Sequence, residues 1–419
     1  MPKRRKPHPR ASSPPEAAAG QAPTAVYAPV LKTGFQATTS RVQEMHHAIA
    51  GKTFDALQQV PGFSVPTRLV QGVHDAITHG VYAAVRHGGG AMFSLAGQAE
   101  RMAADPARSP QGKELTLRSA LNAAVGDALL EAGSSLAVKM SLHADGEPLA
   151  LTRERLVALR ERVCVFIHGL ACDEHSWSRP NDAWAASQWA GQGDTYAALL
   201  EAELGIGAVF VRYNSGLSVE ENGRQLAAQL DELMQAAPSH LRELVLVGHS
   251  MGGLVALSAC EQAAADALSW ASLARMVICL GTPHQGAPLE RLGHLASMAL
   301  GLSSVTQPLG RIANTRSQGI KDLRHGRRGK TAGRAGTQRV ELALRFVAGS
   351  LADPSHGMAG AMIDSVLGDG LVTRGSASDD GLVGDVQRVE VAGLGHMVLL
   401  NHPRVYALIR GWLGAPDAT

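Results

Sequence analysis

Aromatic residues make up only 4% of this 419-residue chain. That is too few for the stacking platforms on which single-strand nucleic-acid binders lay successive bases. Cysteine is scarce too. Cys164, Cys172, Cys260 and Cys279 are spread without a CxxC pair, which argues against a disulfide scaffold or a structural zinc and fits a reducing, cytoplasmic compartment. No uninterrupted apolar run approaches the roughly 18 residues that a membrane-crossing helix needs. Lys3-Arg4-Arg5-Lys6 is basic enough to open a secretory signal. However, Pro7, Pro9, Pro14 and Pro15 stand where an apolar core or an amphipathic transit helix would have to form. Strong charge of one sign is also missing, since the formal net charge is +2. The basic excess sits in residues 1–10, with five Lys/Arg, and in residues 311–339, with nine Lys/Arg against Asp322 alone. So local a bias gives no footprint for a specific nucleic-acid partner.

What is present suffices for a large core: 45% of residues are hydrophobic and 18% charged, well outside the disordered range. Residues 1–35, rich in Pro, Ala and Ser, read as a disordered basic tail. Residues 36–134 read as a helical N-terminal region. Leu69/Val70, Val73, Ile77, Val81 and Val85 form one apolar face, broken by Gly88-Gly89-Gly90. Leu117, Leu121, Val125, Leu129 and Ala132 form a second, ending at Gly133. Such faces suit a helical cap on the main domain, with peripheral contact to a membrane or lipid surface as the alternative.

At residue 135 the period changes to two. Leu136, Val138, Met140 and Leu142 alternate with Ala137, Lys139 and Ser141, and Asp145-Gly146 marks a tight turn before Leu149 and Leu151. Beyond that hairpin, apolar strands are expected at 163–167, 208–213, 244–247, 276–280, 340–348 and 387–391. Helices between them are expected at 194–204, 218–236 and from 251, with another at 404–413. Strands alternating with helices imply an α/β class with a mostly parallel sheet covered on both faces, here over 135–414. Periodicity fails over 284–338, which is long for a plain loop and reads as a cap or lid insertion.

The sharpest chemical signal is Gly248-His249-Ser250-Met251-Gly252-Gly253, set between the strand Leu244–Val247 and a helical run from Leu254. Gly-x-Ser-x-Gly at a strand-to-helix turn is a nucleophile elbow, which lifts the serine hydroxyl above the sheet edge at a helix N-terminus. Acyl transfer also needs two N–H donors converging on one oxygen. Met251 supplies one. Leu170 supplies the other, at the end of the buried strand before Ile167-His168-Gly169-Leu170, where Gly169 permits close approach. His168 itself reads as a structural side chain that fixes this loop.

These pieces resemble the α/β-hydrolase fold superfamily, in its lipase and esterase-like branch. Leu280-Gly281-Thr282-Pro283-His284-Gln285-Gly286, Gly368-Asp369-Gly370-Leu371-Val372 and Gly395-His396 complete the likeness, in the superfamily's order. The Gly-Thr-Pro-His segment is similar to lipase-like and inositol-deacylase-like members; there it shapes the pocket, so His284 is left outside the triad. The resemblance implies a Ser–Asp–His triad without metal or cofactor, in serine, acid, histidine order. His396 lies in a glycine-rich loop before the last helix, where that fold holds its base; His402, ahead of Pro403, suits a helix start better. For the acid, Gly368-Asp369-Gly370 matches the family's acid loop, with Asp353 and Asp364 as alternatives.

The expectation is therefore a serine esterase or lipase-like enzyme acting on carboxylic esters with an apolar or lipid acyl part. Thioester hydrolysis and depolymerisation of an intracellular polyester stay open on the same triad. So does a non-catalytic lipid- or granule-binding role of residues 36–134.

Overall fold

In the computed structural model the described residues are 110–131, 134, 136–157, 159–236, 240–286, 317–325, 342–351, 369 and 384–414, with Ser40, Gln43, Gln71 and Asp75. Most of the 67–86 stretch, most of 284–338, and Asp353 and Asp364 lie outside them. Among the described residues there are eight strands: β1 (Ser141–Ala144), β2 (Glu147–Pro148), β3 (Arg162–Ile167), β4 (Ile206–Arg212), β5 (Glu243–His249), β6 (Ala274–Leu280), β7 (Ala343–Ser350) and β8 (Val386–Ala392). The helices are α1 (Gly112–Glu131), α2 (Arg153–Val157), α3 (Tyr196–Leu204), α4 (Val219–Ala236), α5 (Met251–Ala265), α6 (Gln318–His325) and α7 (Pro403–Gly414). Among the described residues no helix is long and apolar enough to cross a membrane.

The strands form one sheet in the order β2-β1-β4-β3-β5-β6-β7-β8. Pairings from β4 to β8 are parallel, and β1 joins β4 antiparallel. This is the α/β-hydrolase fold. β3 pairs with β4 on one side and β5 on the other. The chain thus leaves β3 in one direction and later returns to its opposite edge, and open α/β sheets place their ligand sites at such a reversal, here the carboxyl ends of β3 and β5.

The strand sequences explain their burial. Val163, Val165 and Ile167 face one core with Leu244 and Leu246. Cys164 and Phe166 face the other with Val245, Val247 and a cage of Trp177, Trp184, Trp189, Tyr196 and Tyr406. With both faces covered, a strand reads as a continuous apolar run rather than an alternation. Helix ends follow local rules. Thr195 Oγ1 accepts the Ala198 amide at 3.2 Å to start α3, and Gly205 closes it at φ 65. α4 crosses α5 closely enough that a Cβ on Gly223 would strike Ser258.

The hairpin turn is as the sequence suggests, with positive φ at both Asp145 (54°) and Gly146 (79°). The strand before it is shorter than its alternation predicts, because residues 136–140 form no ladder. Side chains of α1 take their backbone groups instead. Asn122 donates to the Leu136 carbonyl at 2.8 Å and accepts the Val138 amide at 2.9 Å, while Arg118 donates to Leu136 at 3.1 Å. α1 also turns a different face inward than its leucine spacing predicts. Leu115, Ser119, Asn122, Ala123, Gly126 and Leu129 are buried, whereas Leu121 and Val125 are half-buried. Val125 is non-helical (φ −142, ψ 23), so the helix kinks and the stripe shifts.

Candidate active site

Ser250 stands between β5 and α5 with φ 53 and ψ −121. A side chain rarely adopts such a conformation, which costs on the order of 1–3 kcal/mol and persists only where the surroundings impose it. They do so here. The Ser250 amide donates to Leu280 O at 2.8 Å, and Gly253 N donates back to Ser250 O at 3.1 Å. A Cβ on Gly248 would run into the Gly252–Gly253 backbone, and one on Gly252 into the carbonyls of Ile167 and His168. A Cβ on Gly169 would come within 3.0 Å of Ser250 Cβ. The glycines therefore let β3 and the elbow approach backbone to backbone.

The structure brings His396 and Asp369 together beside this serine. His396 Nδ1 lies 2.7 Å from Asp369 Oδ2, and the His396 amide donates to Asp369 O at 3.0 Å. Gly281, at φ 57, makes room for the pair, since a Cβ there would lie 3.0 Å from His396 Nδ1 and 3.1 Å from Asp369 Oδ2. Nδ1–H donates to the carboxylate, so the lone pair is left on Nε2. Ser250, His396 and Asp369 are all buried. Among the described residues, Ser250 Oγ and His396 Nε2 have no hydrogen-bond partner.

Leu170 and Met251 are both buried. Met251 is the first residue of α5, where amides have no partner within the helix. In the loop after β3, Ala171 N donates to Ser215 Oγ at 3.2 Å and Cys172 N to Gly169 O at 3.3 Å, which engages the two amides that follow Leu170. His168 braces this loop. Its ring stacks on Tyr213 at 4.4 Å, its Nδ1 meets Gly169 O at 2.9 Å, and Tyr213 donates to its carbonyl at 2.7 Å. Burial pushes its pKa below the ordinary histidine value.

Other histidines are employed elsewhere. His402 Nδ1 accepts the Arg404 amide at 3.1 Å and so caps α7, and His284 packs edge-on against Phe346 at 4.8 Å. Part of the 284–338 segment docks beside the elbow, with Ile320 and Leu323 of α6 in one apolar cluster with Leu170 and Met251. Sequence reasoning missed several residues that hold the site, above all His249, Tyr196 and Asn401. His249 donates Nε2–H to His396 O at 3.0 Å. Tyr196 donates to Leu399 O at 2.9 Å, and Asn401 to Arg179 O at 2.9 Å and Asp194 O at 2.7 Å. Only His249 lay within a recognised motif, and nothing in that motif names its partner.

A family model described as a PGAP1-like alpha/beta domain matches residues 211–324, from β4 through the elbow to α6. No curated protein matches the chain in sequence. Several solved structures are similar at low identity. Mature lipase BlEst2 of Bacillus licheniformis is 20% identical, with 60% of this chain and 91% of the lipase covered and a TM-score of 0.41. A thermophilic esterase is 16% identical, with 61% and 91% covered and a TM-score of 0.36. The type II thioesterase YbtT of the yersiniabactin pathway is 14% identical, with 61% and 92% covered and a TM-score of 0.34.

Proposed function

We propose that the protein is a serine hydrolase that cleaves carboxylic esters with an apolar acyl part through Ser250, His396 and Asp369. The observation that carries this reading is the 2.7 Å His396–Asp369 contact beside a serine held at φ 53. With Nδ1–H committed to the carboxylate, Nε2 is free to take the Ser250 proton as Oγ attacks the carbonyl carbon. Charge then builds on the carbonyl oxygen, and the Leu170 and Met251 amides, aided by the α5 N-terminus, stabilise it. As the tetrahedral species collapses, His396 returns the proton to the departing alcohol and leaves an acyl group on Ser250. Water, deprotonated by the same imidazole, attacks that acyl group; the bond to Ser250 Oγ breaks, Oγ takes the proton back from His396, and the acid leaves. Asp369 keeps the imidazole in the correct tautomer and offsets its charge while it is protonated. The preference for an apolar acyl part rests on the likeness of the Leu280–Gly286 segment to lipase-like members.

The test is a series of p-nitrophenyl esters of rising chain length, run with a fluorophosphonate probe on wild type and Ser250→Ala. Wild type should be labelled and should favour acyl chains over acetate. The Ser250→Ala variant should be unlabelled and should lose about a millionfold in kcat, the scale reached when a triad serine is removed. Labelling that survives in the variant would exclude Ser250 as nucleophile.

A further inference from the structure

We infer that His249, the residue preceding the nucleophile, is a positioning residue that ties the nucleophile and the base into one rigid unit. The inference rests on the reading of Ser250 and His396 as nucleophile and base. Of the four polar groups of His396, three are held: the amide by Asp369 O at 3.0 Å, Nδ1 by Asp369 Oδ2 at 2.7 Å, and the carbonyl by His249 Nε2 at 3.0 Å. The fourth, Nε2, is the one chemistry requires. Two of the three ties come from Asp369, which itself sits on a separate segment. The tie through His249 is different in kind, because His249 is joined to Ser250 by a single peptide bond and ends the central strand β5. Through a contact between residues 147 apart in sequence, it therefore ties the base loop to the strand that carries the nucleophile.

The surroundings suit a fixed strut. The His249 side chain is fully buried, its ring 4.6 Å from that of His396 and edge-on to Trp177 at 6.4 Å. A Cβ on Gly169 would lie 3.1 Å from its Nδ1, so the β3 loop closes the remaining side. Burial, and next the nearness of His396, hold its pKa well below the ordinary histidine value. A charge there would oppose the imidazolium that forms on His396 during turnover. The strut stays neutral and donates through Nε2–H, and His396 alone carries the proton. A displacement of about 1 Å between reacting groups lowers rate about a hundredfold, so loss of the strut should appear in kcat rather than in KM.

The experiment compares three variants of the full chain. His249→Leu keeps bulk and removes the donor. His249→Asn has an N–H that falls short of the His396 carbonyl. His249→Gln has one that reaches it. Measured for each are kcat and KM on the best p-nitrophenyl ester, the rate of fluorophosphonate labelling, and the thermal midpoint. The Leu and Asn variants should lose about 30- to 100-fold in kcat with KM within about twofold, and labelling should slow in step. The Gln variant should recover about tenfold of that loss. If Leu fails to fold, Asn against Gln carries the same contrast. A folded Leu or Asn variant with kcat within about threefold of wild type overturns the inference, as does a Gln variant no better than Asn. Failure of the catalytic reading itself looks different: wild type would then resist labelling, whatever His249 does.

Discussion

The two flanks of Ser250 are built by opposite means. On the base side, side chains reach out to backbone carbonyls. His249 grips His396, Tyr196 grips Leu399, Asn401 grips Arg179 and Asp194, and Asn181 grips Asn401 at 2.6 Å. On the Met251 side, the missing side chains decide. Helix α1, the loop after β4 and helix α6 meet where Gly126, Gly216 and Gly319 let backbones touch. A Cβ on Gly216 would strike Asn122 O, and one on Gly319 would strike Ser215 O and lie 3.2 Å from Met251 Cε. Hydrogen bonds then lace the junction, with Ser317 donating to Ala123 O at 2.6 Å and the Gln318 amide to Asp127 at 2.9 Å. A flank held by donors tolerates any replacement that keeps the donor. A flank held by close approach tolerates none that adds volume. The difference also joins the N-terminal helix α1 to the candidate site, because it reaches the Met251 side through α6 rather than as a separate appendage.

The largest effect should come from breaking the base flank at its centre. Asp369→Asn keeps the shape but turns the His396 tautomer, and kcat at neutral pH should fall by about ten-thousandfold with the thermal midpoint little changed. A folded variant with activity within tenfold of wild type would point to another acid.

Next come the glycines of the Met251 flank, where the two neighbours sharpen the contrast. The Cβ of Gly216→Ala meets a fixed backbone carbonyl, and chemical denaturation should show a loss of about 3 kcal/mol or more. That of Gly126→Ala meets the Asn214 side chain, which can turn away, so its loss should be about half as large. Equal losses would mean that the junction yields as a whole.

A smaller effect is expected for Tyr196→Phe. Leu399 O loses a donor and the His402 amide, 2.9 Å from the hydroxyl, loses its acceptor. Leaving such buried groups unsatisfied costs about 1–3 kcal/mol. Labelling by fluorophosphonate should slow only slightly, since His249 still holds His396. A hundredfold loss of labelling would make Tyr196, rather than His249, the chief anchor of the base loop.

The last effect is absent at neutral pH and appears only in acid. On β1, His143 lies 3.8 Å from Glu174, which pairs with Arg212. Burial, and next the Arg212 charge, lower the His143 pKa from 6.5 to about 4. The folded state thus binds fewer protons than the unfolded chain between those values. Its contribution to stability is complete above about pH 6.5 and is lost as pH falls from there toward 4. The thermal midpoint should drop across that window, and His143→Asn should flatten part of the drop. An unchanged slope would assign the acid sensitivity to the other buried histidines.

Local sterics and periodicity were sufficient for much of this protein. The apolar run at 163–167 and the Gly248–Gly252 turn announce themselves because their constraints act between residues a few positions apart. Such constraints survive in any fold that contains them. The alternation at 136–142 misled for the converse reason. Whether a backbone amide joins a ladder depends on what lies across from it, and the Asn122 carboxamide lies there instead. The face of α1 was likewise unreadable, because helical periodicity does not show the kink at Val125, and Asn122 is buried where its side chain pairs with the Leu136 and Val138 backbone.

By itself, then, the sequence determined the order of strands and helices, the sharp turn at Ser250 and the chemistry its neighbours could perform. Each of these is governed by short-range geometry and by side-chain type. The tertiary structure added the contact itself, with His396 Nδ1 2.7 Å from Asp369 Oδ2. It also decided that His249 clasps a carbonyl 147 residues away and that α1 and α6 close on the same glycines. Contacts of that kind arise when the sheet closes and distant segments compete for the same buried donors and the same space, and no window along the chain contains both partners.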